Sequence, residues 1–354
     1  MKLDTAKKGR NFMMNMSRRR LLGTASAGLA MMGVGLPLRA QTMSFDDNPI
    51  TATIAGYSSR GMVSILGEGQ AAVVRTAFAG SNIVYEPGNP AGSFAAVVNG
   101  EREFALESSI ELLMATKAEQ PFDDSFKGRF WAVTTLSPDL TLAHVYGRKA
   151  FIEENGIKSL SDIRDRKIPV HLGINQPGNL WARAHVHSIL RAHGMTVEDI
   201  VSWGGSLIEQ NTGSTMDLMR QQRADIEITG GFVPVGSMIE LNSTVPLSFV
   251  PMTLEMATAA AEAMSVSVGV IPAGTYEWQT EDLHTPASSH LIIAGPSATD
   301  EQVWKLCKAL DTQLDTYHGM HPALVATTRQ NIVPNVPGVP LHPAAEAYFA
   351  SRSI

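Results

Sequence analysis

Short apolar runs alternate with helical patterns along most of this 354-residue chain. The first runs predict strands over 50–56, 81–85 and 103–106, with helices over 71–78 and 94–98 between them. Strands that alternate with helices are typical of α/β proteins with parallel sheets. The first part of the chain therefore predicts a βαβ system.

The pattern starts again after a strand predicted over 141–147. Beyond it the sequence predicts, in chain order, a helix over 157–163 capped by Ser159, a strand over 168–173, helices over 179–192 and 215–222, a strand over 224–229, a late strand over 290–295 and a helix over 300–317. Two βαβ systems separated by 142–145, with a return at 291–294, predict two lobes joined by two crossover strands. Such lobes form a cleft lined by the loops after the strands and by helix N-termini.

The first 40 residues have the pattern of an export signal. A basic start leads to Arg18-Arg19-Arg20, then to small and apolar residues over 21–36, then to Leu38-Arg39-Ala40. Paired arginines at this place are typical of the twin-arginine route, which exports folded proteins. A membrane anchor is the alternative, but it needs roughly 20 apolar residues. We therefore predict a signal peptide over 1–40, cleaved near Ala40, and a periplasmic protein.

Charge and cysteine content indicate which partners and which side-chain chemistry to expect. Without residues 1–40 the chain keeps 20 basic and 33 acidic residues, a net charge of −13. An acidic protein repels nucleic acid, so no nucleic-acid partner is expected. The one cysteine, Cys307, lies in an apolar helical pattern, which predicts a buried side chain rather than a reactive thiol.

No motif for catalysis or for a cofactor emerges from the sequence. The glycines of 56–61 bracket four residues, whereas a nucleophile elbow brackets three. Gly67-Glu68-Gly69 lacks the third glycine of a dinucleotide fingerprint. His185 and His187 are two apart on a predicted helix, so they point to different faces and make a poor metal site. We expect no cofactor, no metal and no enzymatic activity.

Polar loops that contain glycine follow the predicted strands and precede helices. They are Ser58–Gly61, Pro87–Ser93, Glu107–Ser109, Asn175–Asn179 and Thr212–Thr215. Hydroxyls, amides and free N–H groups at helix starts suit a small anion such as a carboxylate. Any one loop is equally explained by ordinary turn and cap chemistry. Five such loops facing one cleft indicate a binding site.

Six segments carry a resemblance to a known family. They are the glycine-bearing loop 54–67, the strand 100–108, the helix start 156–163, the stretch 223–234, Ile271–Tyr276 and Pro340–Ala345. In this order they resemble the TAXI-type solute-binding proteins of TRAP transporters. The resemblance implies a type II periplasmic-binding-protein fold whose lobes close on a small carboxylate or amino-acid-like ligand. It also implies delivery of that ligand to a membrane permease driven by an ion gradient.

The ligand loops depart from the family pattern. Arg60 stands where a glycine is usual, and Val63-Ser64 replace a pair of tyrosines. The second loop reads Pro87–Pro90 in place of T-G-G-S, and the third reads Pro177–Asn179 in place of S-G-T. These changes weaken aromatic stacking on the ligand and add a charge that can hold a carboxylate bidentately. A solvated loop arginine explains Arg60 equally well.

The sequence therefore predicts a solute-binding protein rather than an enzyme. Lobe 1 is expected to comprise 49–145 plus 290–354, and lobe 2 to comprise 146–289. Arg60 is expected to pair with the ligand carboxylate, and Trp181 and Phe232 to form an apolar wall. The other expected ligand contacts are Ser58, Ser59, Asn89, Ser93, Ser108, Pro177, Gly178, Asn179 and Ser214.

The expected macromolecular partners are a membrane TRAP permease and the twin-arginine export machinery. Two alternatives remain open at this point. One is a periplasmic sensor of the same fold that acts on a membrane kinase, and the other is an exported enzyme.

Overall fold

The part of the chain that the structure describes is built on one mixed sheet of ten strands. The structure is a computed structural model and describes residues 43–57, 63–88 and 90–352. The strands are β1 (Thr51–Ala55), β2 (Asn82–Glu86), β3 (Phe104–Ser108), β4 (Trp131–Arg148), β5 (His171–Gly173), β6 (Ser206–Ile208), β7 (Ile226–Gly231), β8 (Leu247–Phe249), β9 (Ser267–Ile271) and β10 (Leu283–Ala294). Their order is β2-β1-β3-β10-β4-β7-β5-β6, with β8 beside β4 and β9 beside β10.

Helices connect most of the strands. They are α1 (Ser64–Ala77), α2 (Pro90–Val98), α3 (Ser109–Lys117), α4 (Lys149–Glu154), α5 (Leu160–Arg166), α6 (Leu180–Ala192), α7 (Val197–Ser202), α8 (Thr212–Arg220), α9 (Gly236–Asn242), α10 (Leu254–Ala263), α11 (Asp300–Thr312), α12 (Leu314–His318) and α13 (Pro343–Ser351). Short 3-10 helices cover Asp124–Phe126 and Pro322–Ala326. Within the described residues, no helix is long and apolar enough to cross a membrane.

The sheet confirms the predicted α/β architecture with two lobes. In the first lobe β1 pairs in parallel with β2 and β3, and in the second lobe β5 pairs in parallel with β6 and β7. The long strands β4 and β10 run antiparallel to their neighbours and take part in both lobes. The two crossover strands were therefore correctly predicted, although both are longer than the sequence indicated.

The crossover strands bend where they pass from one lobe to the other. Asp139, in the middle of β4, has a φ of 50°, which is the left-handed region that costs energy for a residue with a side chain. Its carboxylate accepts hydrogen bonds from the hydroxyls of Ser289 and Ser267, both at 2.8 Å. The pairing of β4 with β10 shifts register beside it, between Ser288 and His290. These contacts stabilise the bend at the junction in this arrangement.

Each lobe buries apolar side chains on both faces of its part of the sheet. On β10, Leu291 and Ile292 point to opposite faces, as neighbouring residues of a strand must, and join different clusters of the first lobe. In the second lobe Ile189 on α6 packs against Leu172 and Ile226 in one cluster. Leu136 of β4 and Ile292 of β10 belong to a first-lobe cluster, and Leu142 of β4 and Ala287 of β10 belong to a second-lobe cluster, so both crossover strands contribute to the cores of both lobes.

Helix ends follow the sequence where a capping residue marks them. Ser159 caps α5 as predicted, and a capping box joins Ser159 to Asp162. Cys307 is fully buried on α11, as predicted, and its thiol donates to the carbonyl of Val133 at 3.4 Å. The helix predicted over 300–317 is wrong in its length, because the chain leaves the helical conformation at Gln313 and starts again as α12.

Two strand boundaries also differ from the prediction. β5 begins at His171 rather than at residue 168, because Pro169 has no N–H to donate to a neighbouring strand. β4 begins at Trp131 rather than at residue 141, and it includes Pro138 and Asp139. Pro138 and Asp139 lie at the bend described above, and the strand continues through them.

A buried carboxylate fixes the C-terminal helix to the first lobe, which yields the first prediction. Asp311 on α11 accepts hydrogen bonds from Arg329, Tyr348 and Arg352, and the Arg352 side chain is 3% exposed. Asp311→Asn leaves the buried Arg352 charge without a counter-charge, so we expect the free energy of unfolding to fall by about 3 kcal/mol.

Urea unfolding at pH 7 measures this change. Asp315→Asn, which alters an exposed carboxylate on the neighbouring helix α12, should shift stability by less than about 0.5 kcal/mol. Equal effects of the two substitutions would contradict the role given to Asp311.

Candidate functional site

A buried carboxylate lies where the two lobes meet. Glu111 is fully buried on α3, and its Oε2 accepts hydrogen bonds from the Tyr57 hydroxyl and from the backbone N–H and hydroxyl of Ser108. Ser108 is the N-cap of α3, so the same contacts form a capping box. The backbone N–H of Trp181, at the start of α6 in the second lobe, also lowers the pKa of Glu111, against the upward effect of burial. Groups from both lobes thus converge on one carboxylate.

Two glycines of the first loop make room for the aromatic side chain that supports Tyr57. The Tyr85 hydroxyl donates to the carbonyl oxygen of Tyr57 at 3.0 Å. A Cβ atom at Gly56 would lie 2.4 Å from the Tyr85 ring, and one at Gly67 would lie 2.2 Å from it. Any larger residue at either position would displace the ring. The glycines that carry part of the family resemblance therefore have a packing role here.

Trp181 anchors the start of α6 to a crossover strand. Its indole Nε1 donates to the hydroxyl of Ser288 on β10 at 2.6 Å. The ring lies across Gly230 on β7, where a Cβ atom would come within 2.3 Å of Cη2. Asn179 fixes the helix start, because its side chain accepts from the backbone N–H of Ala182 at 3.1 Å. The Asn179 cap and the space left by Gly230 therefore position this indole where the lobes meet.

Two buried histidines contact the residues around Glu111. The His185 ring lies against that of Trp181, with centroids 4.1 Å apart and ring planes inclined by 36°, and the His290 ring meets Tyr57 edge-on at 5.7 Å. Burial lowers the pKa of His185 to about 4 and that of His290 to about 3, the latter also through the nearby His185. Both rings are therefore neutral near pH 7. We call the set Tyr57, Glu111, Trp181, His185 and His290 the interlobe cluster.

A second set of polar groups lies at the strand ends of the second lobe. The hydroxyl of Thr212, at the start of α8, is 2.9 Å from that of Thr229 and accepts from the amide of Asn175 at 3.2 Å. Tyr146 donates to Oε2 of Glu227 at 2.5 Å. Burial raises the pKa of Glu227 to about 7, although the Tyr146 and Thr212 hydroxyls oppose the rise. We call these five residues the hydroxyl cluster.

The structure describes only some of the first-lobe residues that are predicted to contact ligand. Ser58, Ser59, Arg60 and Asn89 lie outside the described residues. Ser93 is buried in α2, and its hydroxyl donates to the carbonyl of Gly56 at 2.8 Å. Ser108 belongs to the network around Glu111.

The residues predicted in the second lobe divide into exposed and buried positions. Pro177 and Gly178 are exposed, and Ser214 lies half-buried in the first turn of α8. Trp181 is buried in the interlobe cluster. Phe232 is also buried, and its ring lies 5.4 Å from that of His321 of the first lobe. Direct ligand contact by these residues stays a prediction.

Tyr57, Glu111, His185 and His290 of the interlobe cluster were not predicted as site residues from the sequence. One signal for Glu111 was present, because Ser108-Ser109-Ile110-Glu111 has the spacing of a capping box before an apolar run. Tyr57 directly follows the first predicted strand, where site residues are expected. Nothing in the local sequence marks His290. It faces Tyr57 only because β10 returns to the sheet from far along the chain.

Comparisons with known proteins agree with this architecture. Residues 62–351 match the model of the NMT1-like family. Among solved structures, MatC from Rhodopseudomonas palustris with bound malate aligns at a TM-score of 0.52 and 13% identity, covering 85% of this chain and 97% of that chain. PhnD1 from Prochlorococcus marinus (MIT 9301) in complex with methylphosphonate aligns at a TM-score of 0.50 and 8% identity, covering 79% and 92%. A comparison with curated proteins finds no match. The structural likenesses show the fold.

The buried carboxyl of the hydroxyl cluster yields a prediction about pH. Glu227 keeps its proton up to about pH 7 in the folded protein, whereas the unfolded chain releases it near 4.5. The unfolded state then binds fewer protons, so this group lowers stability as pH rises through that window, by up to about 3 kcal/mol. Glu227→Gln cannot ionise and can still accept from Tyr146.

Urea unfolding of the original protein and of Glu227→Gln from pH 4.5 to 8 tests this effect. The quantity compared is the difference between their free energies of unfolding at each pH. The variant should gain stability relative to the original protein as pH rises, and Glu262→Gln, at an exposed position on α10, should not. A constant difference between the Glu227→Gln and original proteins would show that Glu227 is ionised throughout.

Proposed function

The chain belongs to the NMT1-like family, and we propose that it is an extracytoplasmic solute-binding protein that captures a small organic anion between its lobes. The interlobe cluster is the observation that carries this proposal. Glu111 comes from the first lobe and Trp181 from the second, so the cluster is complete only when the lobes are together. A ligand held there stabilises the closed arrangement to the extent that it binds that arrangement better.

We further propose that the protein is of the TAXI type and serves a TRAP transporter. The order of the six family-like segments in the sequence supports this assignment. In this proposal a twin-arginine signal over 1–40 directs export and is cleaved near Ala40, and the protein then works in the periplasm. It delivers its ligand to a membrane TRAP permease.

The proposed lobes are 49–145 plus 290–354 and 146–289. The buried clusters support a division close to these positions, because Ala143 and Val145 pack with the second-lobe core and Leu136 with the first. The bend at Asp139 and Ser289 lies beside the division on both crossover strands. We propose that this bend is the hinge of closure.

The proposed ligand is a small carboxylate or an amino-acid-like molecule. Malate and methylphosphonate, which are bound in the two solved structures of the same fold, are both small anions. In this proposal Arg60 binds the ligand carboxylate bidentately. The remaining proposed contacts are Ser58, Ser59, Asn89, Ser93, Ser108, Pro177, Gly178, Asn179, Trp181, Ser214 and Phe232.

Thermal unfolding with a panel of small anions tests the proposed function. We expect at least one of L-malate, 2-oxoglutarate, L-glutamate and methylphosphonate to raise the melting temperature of the full chain, with calorimetry giving the affinity. A ligand at 100 times its Kd adds about 2.7 kcal/mol to stability. If none of the four binds at millimolar concentration, the proposed ligand class is wrong.

Arg60 provides a separate prediction. Arg60→Ala should weaken the binding of the carboxylate found in that panel by about 10- to 100-fold, because a charge-assisted bidentate hydrogen bond is lost. Arg129→Ala, which removes an exposed arginine elsewhere in the first lobe, is the control and should bind normally. If Arg60→Ala binds the carboxylate with unchanged affinity, Arg60 does not contact the ligand and is a solvated loop residue.

A further inference from the structure

Phe232 belongs to the second lobe by its chain position and to the first lobe by its packing. It directly follows β7, whose last residue Gly231 pairs with Leu142 on the second-lobe part of β4. Its side chain is 1% exposed and lies in the same buried cluster as Leu136 of the first lobe. Its ring is 5.4 Å from that of His321. One aromatic side chain of the second lobe therefore packs in the core of the first.

The first-lobe wall that receives this ring is attached to β4 at Leu136. The Tyr317 hydroxyl on α12 donates to the carbonyl oxygen of Leu136 at 3.0 Å, and the Thr327 hydroxyl donates to the same oxygen at 3.1 Å. His321 lies between these two residues in the chain, and its Nδ1 accepts from the backbone N–H of Ala323 at 3.1 Å. The wall therefore moves together with the first-lobe part of β4.

A chain of buried hydrogen bonds attaches the loop of Phe232 to β4 at Leu142. Nδ1 of His144 is 2.9 Å from the carbonyl oxygen of Leu142, and a carbonyl only accepts, so Nδ1 carries the proton. Burial lowers the pKa of His144 to about 4, so the ring is neutral near pH 7 and Nε2 accepts from the Tyr276 hydroxyl at 2.9 Å. The Tyr276 oxygen accepts in turn from the backbone N–H of Val235 at 2.9 Å. The loop therefore moves together with the second-lobe part of β4.

The two points of attachment lie on opposite sides of the bend. Leu136 and Leu142 stand three residues before and three residues after Asp139 on β4. A rotation of the lobes at this bend therefore moves the loop of Phe232 relative to the wall around His321. Separation of the lobes withdraws an aromatic ring from an apolar cluster, which is unfavourable in proportion to the apolar area exposed.

Resting on the closure of the lobes proposed above, we propose that Phe232 is an interlobe latch that stabilises the closed arrangement whether or not ligand is bound. Tyr276 and His144 are its positioning residues. The segment Ile271–Tyr276, which carries part of the family resemblance, thereby has a role at the junction of the lobes. Because apparent affinity scales with the fraction of molecules that are competent to bind, the latch strengthens every ligand of the closed arrangement by the same factor.

The apolar wall of the ligand site, which the sequence predicts for Phe232, is a different role with a different consequence. A wall acts only on bound ligand, so its removal leaves the unliganded protein unchanged. A latch acts on the unliganded protein itself. The experiment that separates the two roles therefore contains no ligand.

Pulsed electron resonance on the full chain without ligand provides the test. Spin labels at Asp124→Cys and Glu198→Cys report the distance between the lobes, and molecules at the distance of the arrangement described above count as closed. We expect a measurable closed fraction in the labelled protein with no other substitution. Phe232→Ala should lower the ratio of closed to open molecules about tenfold or more, because a buried aromatic ring is lost. Tyr276→Phe should lower it about 2- to 10-fold, because the backbone N–H of Val235 loses its acceptor.

Two further variants keep a packing defect apart from the loss of the latch. Phe151→Ala is the matched control, because Phe151 packs against the core of the second lobe, and it should lower stability in urea without changing the ratio. Phe232→Glu should abolish the closed population even in a protein that is almost wholly closed, because a carboxylate cannot enter an apolar cluster without a partner. The loop of Phe232 faces solvent when the lobes separate, so this variant should still fold.

Three outcomes overturn the proposal. One is the absence of any closed population in the unliganded protein. Another is an unchanged ratio in both Phe232→Ala and Phe232→Glu, and if Phe232→Ala then weakens an anion of the earlier panel, Phe232 is a ligand wall. The third is an equal fall of the ratio in Phe151→Ala. Failure of every anion in the panel would instead overturn the proposed function and leave these distances unaffected, so the two failures are distinguishable.

Discussion

The Glu111 carboxylate needs hydrogen-bond donors because it is completely buried, and the surrounding structure is arranged to supply them. Burying a carboxylate without donors costs several kcal/mol, so each donor must be held close. Tyr57 donates to its Oε2 from the end of β1, and Ser108 donates from the turn between β3 and α3. The Trp181 backbone, from the second lobe, lowers the pKa of this carboxyl group. Separating the lobes removes the last of these. The interaction that caps α3 therefore also favours the approach of α6.

The crossover strands link the contacts around Glu111 to the bend between the two lobes. β4 and β10 belong to both lobes, and their bend is held by Asp139 through the hydroxyls of Ser289 and Ser267. Ser288 lies next to that bend and accepts the indole hydrogen bond of Trp181, while His290 meets Tyr57. A movement at the bend would displace both contacts. The groups that line the cleft and the proposed hinge are thus neighbours on the same strand.

The sequence predicts the architecture well, because apolar periodicity and capping residues act locally. Ser159 and Cys307 illustrate this, since the helix start and the buried thiol follow from neighbours within a few residues. The site is harder to predict because long-range pairing assembles it. His290 meets Tyr57 only through the return of β10. The left-handed conformation of Asp139 could not be predicted for the same reason, because residues of β9 and β10 support it.

Capture by closure of the lobes is the central claim, and a distance measured between the lobes tests it directly. Spin labels at Asp124→Cys in the first lobe and Glu198→Cys in the second occupy exposed positions, and the buried Cys307 should not be labelled. Pulsed electron resonance would compare the distance distribution with and without a ligand that calorimetry shows to bind. Ligand should narrow the distribution and shift it to a single population, because binding selects the closed arrangement. An unchanged distribution at saturating ligand would contradict capture by lobe closure.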